Sequence, residues 1–172
     1  PQEGANCGAR KFQQRRNGAL SMKTGEIIDR IFRAPGTQHE LTEFESLGKS
    51  IDQVITIYPK VAQTGKDAGK TKYYLKSFIP FSTGNEEVQV YAEGGKSAPE
   101  EIVRQLWVYK LIHQYGCKAD EMDLEKGVQF GTEIGTKAAD IIVYTDLTKT
   151  TPKIIAVPML SPSSWKFSAW PT

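Results

Sequence analysis

Two acidic residues stand where they could do chemistry. Asp140 opens the run Asp140-Ile141-Ile142-Val143-Tyr144, a carboxylate at the start of a strand that continues with apolar and aromatic side chains. Burying a carboxylate beside such a run is costly unless a cation or hydrogen-bond donors meet it. A divalent metal would meet it, bound by hard oxygen ligands from Asp140 and from a second acid on an adjoining helix. Glu100, in the first turn of a helix predicted over 100–115, is the candidate for that second ligand. A metal so held would activate water and stabilise charge on a phosphoryl oxygen during hydrolysis. The plain alternative gives both acids ordinary work, Asp140 accepting turn hydrogen bonds and Glu100 completing a capping box with Ser97. On spacing alone the plain alternative weighs more.

Other chemistries fall away quickly. The two cysteines, Cys7 and Cys117, and the two histidines, His39 and His113, have no Cys-x-x-Cys or zinc-knuckle spacing, which argues against a structural zinc site. His113 sits in an apolar helical stretch and is expected to pack or lie at the surface rather than react. Gly95-Lys96-Ser97 imitates the end of a phosphate-binding loop, but the first glycine of that motif would fall at Val90, so nucleotide binding is discarded. Between Lys60 and Lys76 five lysines face the single acid Asp67. Lys66, Lys70 and Lys72, next to Tyr73 and Tyr74, could touch a nucleic-acid backbone, or could simply solvate a hairpin tip. Residues 1–33 carry seven Lys/Arg against three acids, including Arg15-Arg16, although the whole chain is only +2. That basic segment reads either as a phosphate-seeking arm or as a partly mobile leader.

The elements that must position these residues are also legible. A length of 172 residues favours one domain, read as 34–172 behind the basic segment. With 39% hydrophobic and 24% charged residues and a mean hydropathy of −0.42, the composition is globular. No uncharged apolar run is long enough to span a membrane, and the opening residues lack a signal-peptide layout. A soluble, cytoplasmic protein is expected. Ile27, Ile28, Ile31 and Phe32 recur at helical spacing before Pro35-Gly36, and a short helix is predicted over 41–47. Strands are predicted over 54–58, 72–79 and 87–91, joined by turns as antiparallel hairpins. Ser97 is the expected cap of the helix 100–115, with Pro99 in its first turn and Gly116 as its stop. Ile102, Val103, Leu106, Trp107, Leu111 and Ile112 give that helix a broad apolar face. An alternating strand then puts Met122, Leu124, Val128 and Phe130 on one side and Asp123, Glu125 and Gln129 on the other. Strands over 140–144 and 154–157 complete an α/β layer arrangement.

Several separated blocks occur in a telling order: Pro99-Glu100-Glu101-Ile102-Val103-Arg104-Gln105, Tyr109-Lys110-Leu111-Ile112, Leu124-Glu125 and Ala139-Asp140-Ile141-Ile142-Val143-Tyr144. Together they resemble the N-terminal nuclease region of type I restriction enzyme R subunits, within the PD-(D/E)xK superfamily, over about residues 97–162. The resemblance implies a restriction-endonuclease-like α/β fold, a mixed sheet with a packed helix, extended here by N-terminal β-hairpins. It implies Mg²⁺-dependent hydrolysis of DNA, with Asp140 as catalytic metal ligand and Glu100, or Glu101 one place on, as the helix glutamate. In such nucleases the following strand ends in Glu-x-Lys, the glutamate on the metal and the lysine near the attacked phosphate. Here that strand runs into Pro158-Met159-Leu160, with Pro162 still aligned. Proline and leucine supply neither a ligand nor a positive charge, so the expectation is a degenerate or incomplete nuclease that cleaves poorly or not at all. The implied partners are DNA and a larger restriction complex, with no membrane. The rival reading is a non-catalytic DNA- or protein-binding module, its aromatic tail (Trp165, Phe167, Trp170) covering an exposed sheet face or forming a homo-oligomer contact.

Overall fold

The computed structural model describes residues 21–33, 41–94, 97–127, 138–156 and 167–169. Cys7, His39, Arg15-Arg16, Gly95-Lys96, Val128 to Phe130 and Pro158 to Leu160 lie outside the described residues. Helix α1 (Thr24–Phe32) begins where Glu26 reaches back to accept the Lys23 N–H at 2.9 Å, and it buries Ile27, Ile28, Ile31 and Phe32. Each such side chain contributes about 1.5–3 kcal/mol by leaving water. The Thr24 hydroxyl accepts the Ile57 N–H at 3.1 Å, which ties this helix to the first strand. The segment Thr42–Leu47 is a 3₁₀ helix closed by Gly48 in the left-handed region.

Val54, expected in a strand, instead closes a one-turn helix α2 (Ile51–Val54). The reason is local capping: Gln53 Oε1 accepts the Ser50 N–H at 3.2 Å, and this outweighs the β propensity of the Val54-Ile55 pair. Strands β1 (Ile57–Val61), β2 (Thr71–Lys76) and β3 (Glu87–Ala92) then form an antiparallel sheet in the order β1-β2-β3, the expected hairpins. Strands β4 (Met122–Gly127), β5 (Ala138–Tyr144), β6 (Pro152–Ala156) and β7 (Phe167–Ala169) form a second antiparallel sheet in chain order. The fold is therefore mixed α/β as expected. Its strand ladders are antiparallel, however, so the single mixed sheet is corrected to two antiparallel ones. Short loops account for this, because a parallel ladder needs a crossover of a dozen or more residues. The parallel contact among the described residues is an isolated bridge between Phe81 and Leu124, which links the β2–β3 loop to the second sheet.

Helix α3 (Pro99–His113) packs against both sheets. It starts without the expected Ser97 cap: Ala98 is the N-cap, it has no side-chain cap hydrogen bond, and its N–H is donated to Val90 O at 2.9 Å. Pro99, fixed near the helical φ and lacking a donor, begins the helix by itself. The stop at Gly116 holds, with φ +70° and the Cys117 N–H closing on Leu111 O at 3.0 Å. Burial around α3 is wider than its apolar pattern suggests, for it includes Glu101, Arg104, Gln105 and Val108, while Val103 and Ile112 are only half-buried. A continuous core joins α1, both sheets and α3, with Ile27, Leu75, Val90, Leu106, Leu124 and Ile141 among its members. No helix among the described residues is long and apolar enough to cross a membrane.

Candidate functional site

The first turns of α3 face the ends of β4 and β5. Helical spacing sets Arg104 one turn beyond Glu101 and on the same side, so their side chains meet. Arg104 is 4% exposed and donates from Nη1 to Glu101 Oε2 at 2.5 Å and to Glu125 Oε1 at 2.9 Å. From Nη2 it donates to Asp140 Oδ1 at 2.5 Å. The Phe81 ring lies beside the guanidinium, 5.9 Å from centroid to carbon. Arg104 Nε, also buried, has no partner among the described residues. Three carboxylates from a helix and two strands thus share one buried cation.

Backbone irregularity brings the two strand acids to it. The β4–β5 ladder pairs Leu124 with Ile141 and Lys126 with Ala139, so Glu125 and Asp140 lie opposite each other between those pairs. Like charges in that relation repel. Glu125 adopts φ +52°, the left-handed region, which costs a non-glycine residue about 1–3 kcal/mol unless its surroundings hold it there. They do: Ser82 Oγ donates to Glu125 O at 2.8 Å, and the Ser82 N–H to Leu124 O at 3.0 Å. The expected alternation along β4 holds for Met122, Asp123 and Leu124 and breaks at Glu125. On β5, Ala139 packs with Ile142 and Tyr144, whereas Ile141 and Val143 join the main core. Strict alternation would put Asp140 with Ile142; the break turns it toward α3 instead.

Glu100 does not touch Arg104 and does not cap its helix. Its charge nonetheless acts on both Asp140 and Glu101. The acid of α3 that shares the Arg104 cation with Asp140 is Glu101. The resemblance offers Glu101 only as the one-place alternative to Glu100, and sequence reasoning gives Glu125 and Arg104 no part in the cluster. Their one signal is charge within blocks otherwise destined for burial, and spacing does not reveal which charges face inward.

Burial raises the Glu101 and Asp140 carboxyls above their ordinary range, more than Arg104 lowers them, and the neighbouring carboxylates Glu125 and Glu100 add to the rise. The Arg104 guanidinium is held further toward its charged form by Glu101, Asp140 and Glu125, although burial opposes this. A carboxyl whose folded pKa exceeds its unfolded value stabilises most below the unfolded value and loses that contribution as pH rises through the folded one. Asp140→Asn, which keeps an acceptor for Arg104 and removes a charge, is therefore expected to stabilise the protein near neutral pH. A gain on the order of 1 kcal/mol corresponds to a Tm rise of about 2–4 °C, shrinking toward pH 4. Thermal melts of the two proteins at pH 4 and pH 7 check it; a variant less stable at pH 7 than at pH 4 relative to the parent overturns it.

The other expected site residues lie elsewhere. Lys66, Lys70 and Lys72 flank the β1–β2 turn. Asp67 pairs with Lys70 at 3.0 Å and with Lys72 at 2.9 Å, and these partners hold its carboxyl down at about 2. Cys117 is a free, half-buried thiol whose burial pushes its pKa up, opposite to what a nucleophile needs. His113 is exposed and stacks on Tyr109 with centroids 4.1 Å apart.

Residues 99–162 match the family described as the type I restriction enzyme R protein N terminus. The matched segment contains α3, β4, β5 and β6, and with them Glu100, Glu101, Arg104, Glu125 and Asp140. No curated protein and no solved structure matches the chain.

Proposed function

We propose, taking the match of residues 99–162 to type I restriction enzyme R proteins as the premise, that the chain carries a restriction-endonuclease-like domain of PD-(D/E)xK type. Its ancestral reaction is Mg²⁺-dependent hydrolysis of DNA phosphodiesters, and its cleaving half is lost. The observation that supports this most directly is the meeting of Asp140 with Glu101 of α3 and Glu125 of β4 around Arg104. Carboxylates brought together from a helix and two strand ends, against repulsion and burial, are what a cation-dependent site requires. Their oxygens suit a hard divalent ion such as Mg²⁺. As arranged they do not form its cage: Asp140, Glu101 and Glu125 each turn an oxygen to Arg104, and no group of three potential ligands among the described residues is placed to hold a metal. Arg104 instead balances part of the acidic charge and fixes the three carboxylates in place.

The sequence supplies the other half of the argument, because Pro158 and Leu160 stand where the related nucleases carry glutamate and lysine. Supercoiled plasmid incubated with the purified protein and Mg²⁺ or Mn²⁺ is expected to remain intact. Robust nicking that disappears in Asp140→Ala overturns the absence of cleavage. In this reading the domain works in the cytoplasm within a larger restriction complex, holding DNA or a partner subunit rather than cutting.

The lysine-rich β1–β2 hairpin favours a direct DNA contact through Lys66, Lys70 and Lys72. Phosphate contacts release counterions, so affinity must fall steeply with salt. Replacing all three lysines by glutamine is expected to weaken binding to a labelled DNA. The slope of its salt dependence should flatten by about 0.7–0.9 for each phosphate that is no longer neutralised. An unchanged slope in fluorescence anisotropy excludes these lysines.

A further inference from the structure

We propose that the outer face of the β1-β2-β3 sheet is a stacking platform for a single strand of nucleic acid. The proposal rests on reading the lysine-rich hairpin as a nucleic-acid contact, names the kind of strand it takes, and is independent of the nuclease reading. One face of this sheet is committed to the core through Ile57, Tyr73, Leu75 and Val90. Side chains alternate along strands, so the next positions point the other way. The registers pair Tyr58 with Tyr74 and Lys60 with Lys72 on that outer face. Lys76 pairs with Glu87 there, beyond the tyrosines. The result is an aromatic row between two rows that carry lysine.

The rings present their faces to a cation. Lys60 Nζ lies 5.0 Å from the centroid of Tyr74 and 5.7 Å from that of Tyr58. Its side chain is about half exposed. A nucleobase is a flat π surface that can take the place of the ammonium on such a ring, freeing Lys60 for a phosphate. Rows two residues apart along a strand are separated by about 6.5–7 Å, so phosphates can run beside stacked bases. The charge is complementary: five lysines against Asp67 alone between Tyr58 and Lys76. Glu87, which accepts from both Tyr58 Oη and Lys60 Nζ, fixes their positions while leaving the balance positive. A duplex keeps its base faces inside its own stack and cannot use the tyrosines, whereas a single strand can.

The test is fluorescence anisotropy of the full chain with a labelled 12-nucleotide oligothymidine and with a duplex of equal length, at low salt. The single strand is expected to bind more tightly. Tyr74→Leu and Tyr58→Leu are each expected to weaken it about five- to a hundredfold, while Tyr74→Phe and Tyr58→Phe retain it. Should a leucine variant fail to fold, the strand preference of the parent and the phenylalanine variants still decide. Equal or tighter binding of the duplex, loss of affinity in the phenylalanine variants, or no binding at all overturns the platform. Binding that depends on Lys66 and Lys70 but is indifferent to Tyr58 and Tyr74 overturns it while leaving the hairpin contact standing.

Discussion

Arg104→Met is expected to cost about 3–5 kcal/mol at neutral pH, the characteristic penalty when one partner of a buried ion pair is removed. Methionine fills much of the same volume, so the penalty measures charge rather than a cavity. Glu101, 7% exposed, and the largely buried Asp140 would be left without their cation and with each other for neighbours. Glu125, more exposed, would suffer less because water reaches it. For a chain of this length the destabilisation corresponds to a Tm lower by roughly 6–20 °C. Acidification should restore part of it, since protonating Glu101 and Asp140 removes the repulsion that the guanidinium now offsets. Arg104→Lys should fall between the two: an ammonium keeps the charge but cannot reach three carboxylates with a planar fork. Adding Glu101→Gln and Asp140→Asn to Arg104→Met should recover stability at neutral pH. Denaturant melts at pH 5 and pH 7 decide the matter. A methionine variant within about 0.5 kcal/mol of the parent, or one whose deficit is the same at both pH values, sinks the account of Arg104 as the cluster's organiser.

Phe81→Ala should cost a similar amount, about 3–5 kcal/mol. Phe81 is buried, sits in the loop between β2 and β3, bridges to Leu124 of the second sheet and lies beside the Arg104 guanidinium. Its removal opens a cavity where the two sheets meet. It also removes the wall that shields the charge cluster from water. The second effect distinguishes it from an ordinary core deletion such as Leu75→Ala, which should cost about 2–5 kcal/mol without disturbing the acids. In a double-mutant cycle, Phe81→Ala and Arg104→Met should show a coupling of at least about 0.5 kcal/mol, as neighbouring residues do. Strict additivity would mean that the N-terminal sheet and the acidic cluster are mechanically separate. The geometry argues otherwise, because Ser82 of the same loop also holds the strained backbone of Glu125.

What the amino-acid order determined by itself was local and periodic. The spacing of Ile27, Ile28, Ile31 and Phe32 specified α1, the β-rich run from Lys72 bounded by turns specified β2, and Gly116 specified where α3 stops. Each depends on backbone geometry and on burying a face, and both are written in neighbouring residues. The ordered blocks from Pro99 to Tyr144 also identified the segment whose resemblance the family match bears out. Where capping chemistry competed over a few residues, as at Val54 and Ser97, the order misled, since the free-energy differences there are only about 1 kcal/mol.

Only the tertiary structure decided which charges face inward. Glu100 and Glu101 are adjacent and alike in type, yet helix rotation gives Glu101 the contact with Arg104 and leaves Glu100 acting from nearby. Alternation assigns Glu125 an outward position, but a left-handed backbone, held by a serine from the β2–β3 loop, turns it to Arg104. The physical reason is range. Periodicity is a property of a few successive residues, whereas a guanidinium shared by a helix and two strands exists only after loops have closed and apolar packing has excluded water from around it.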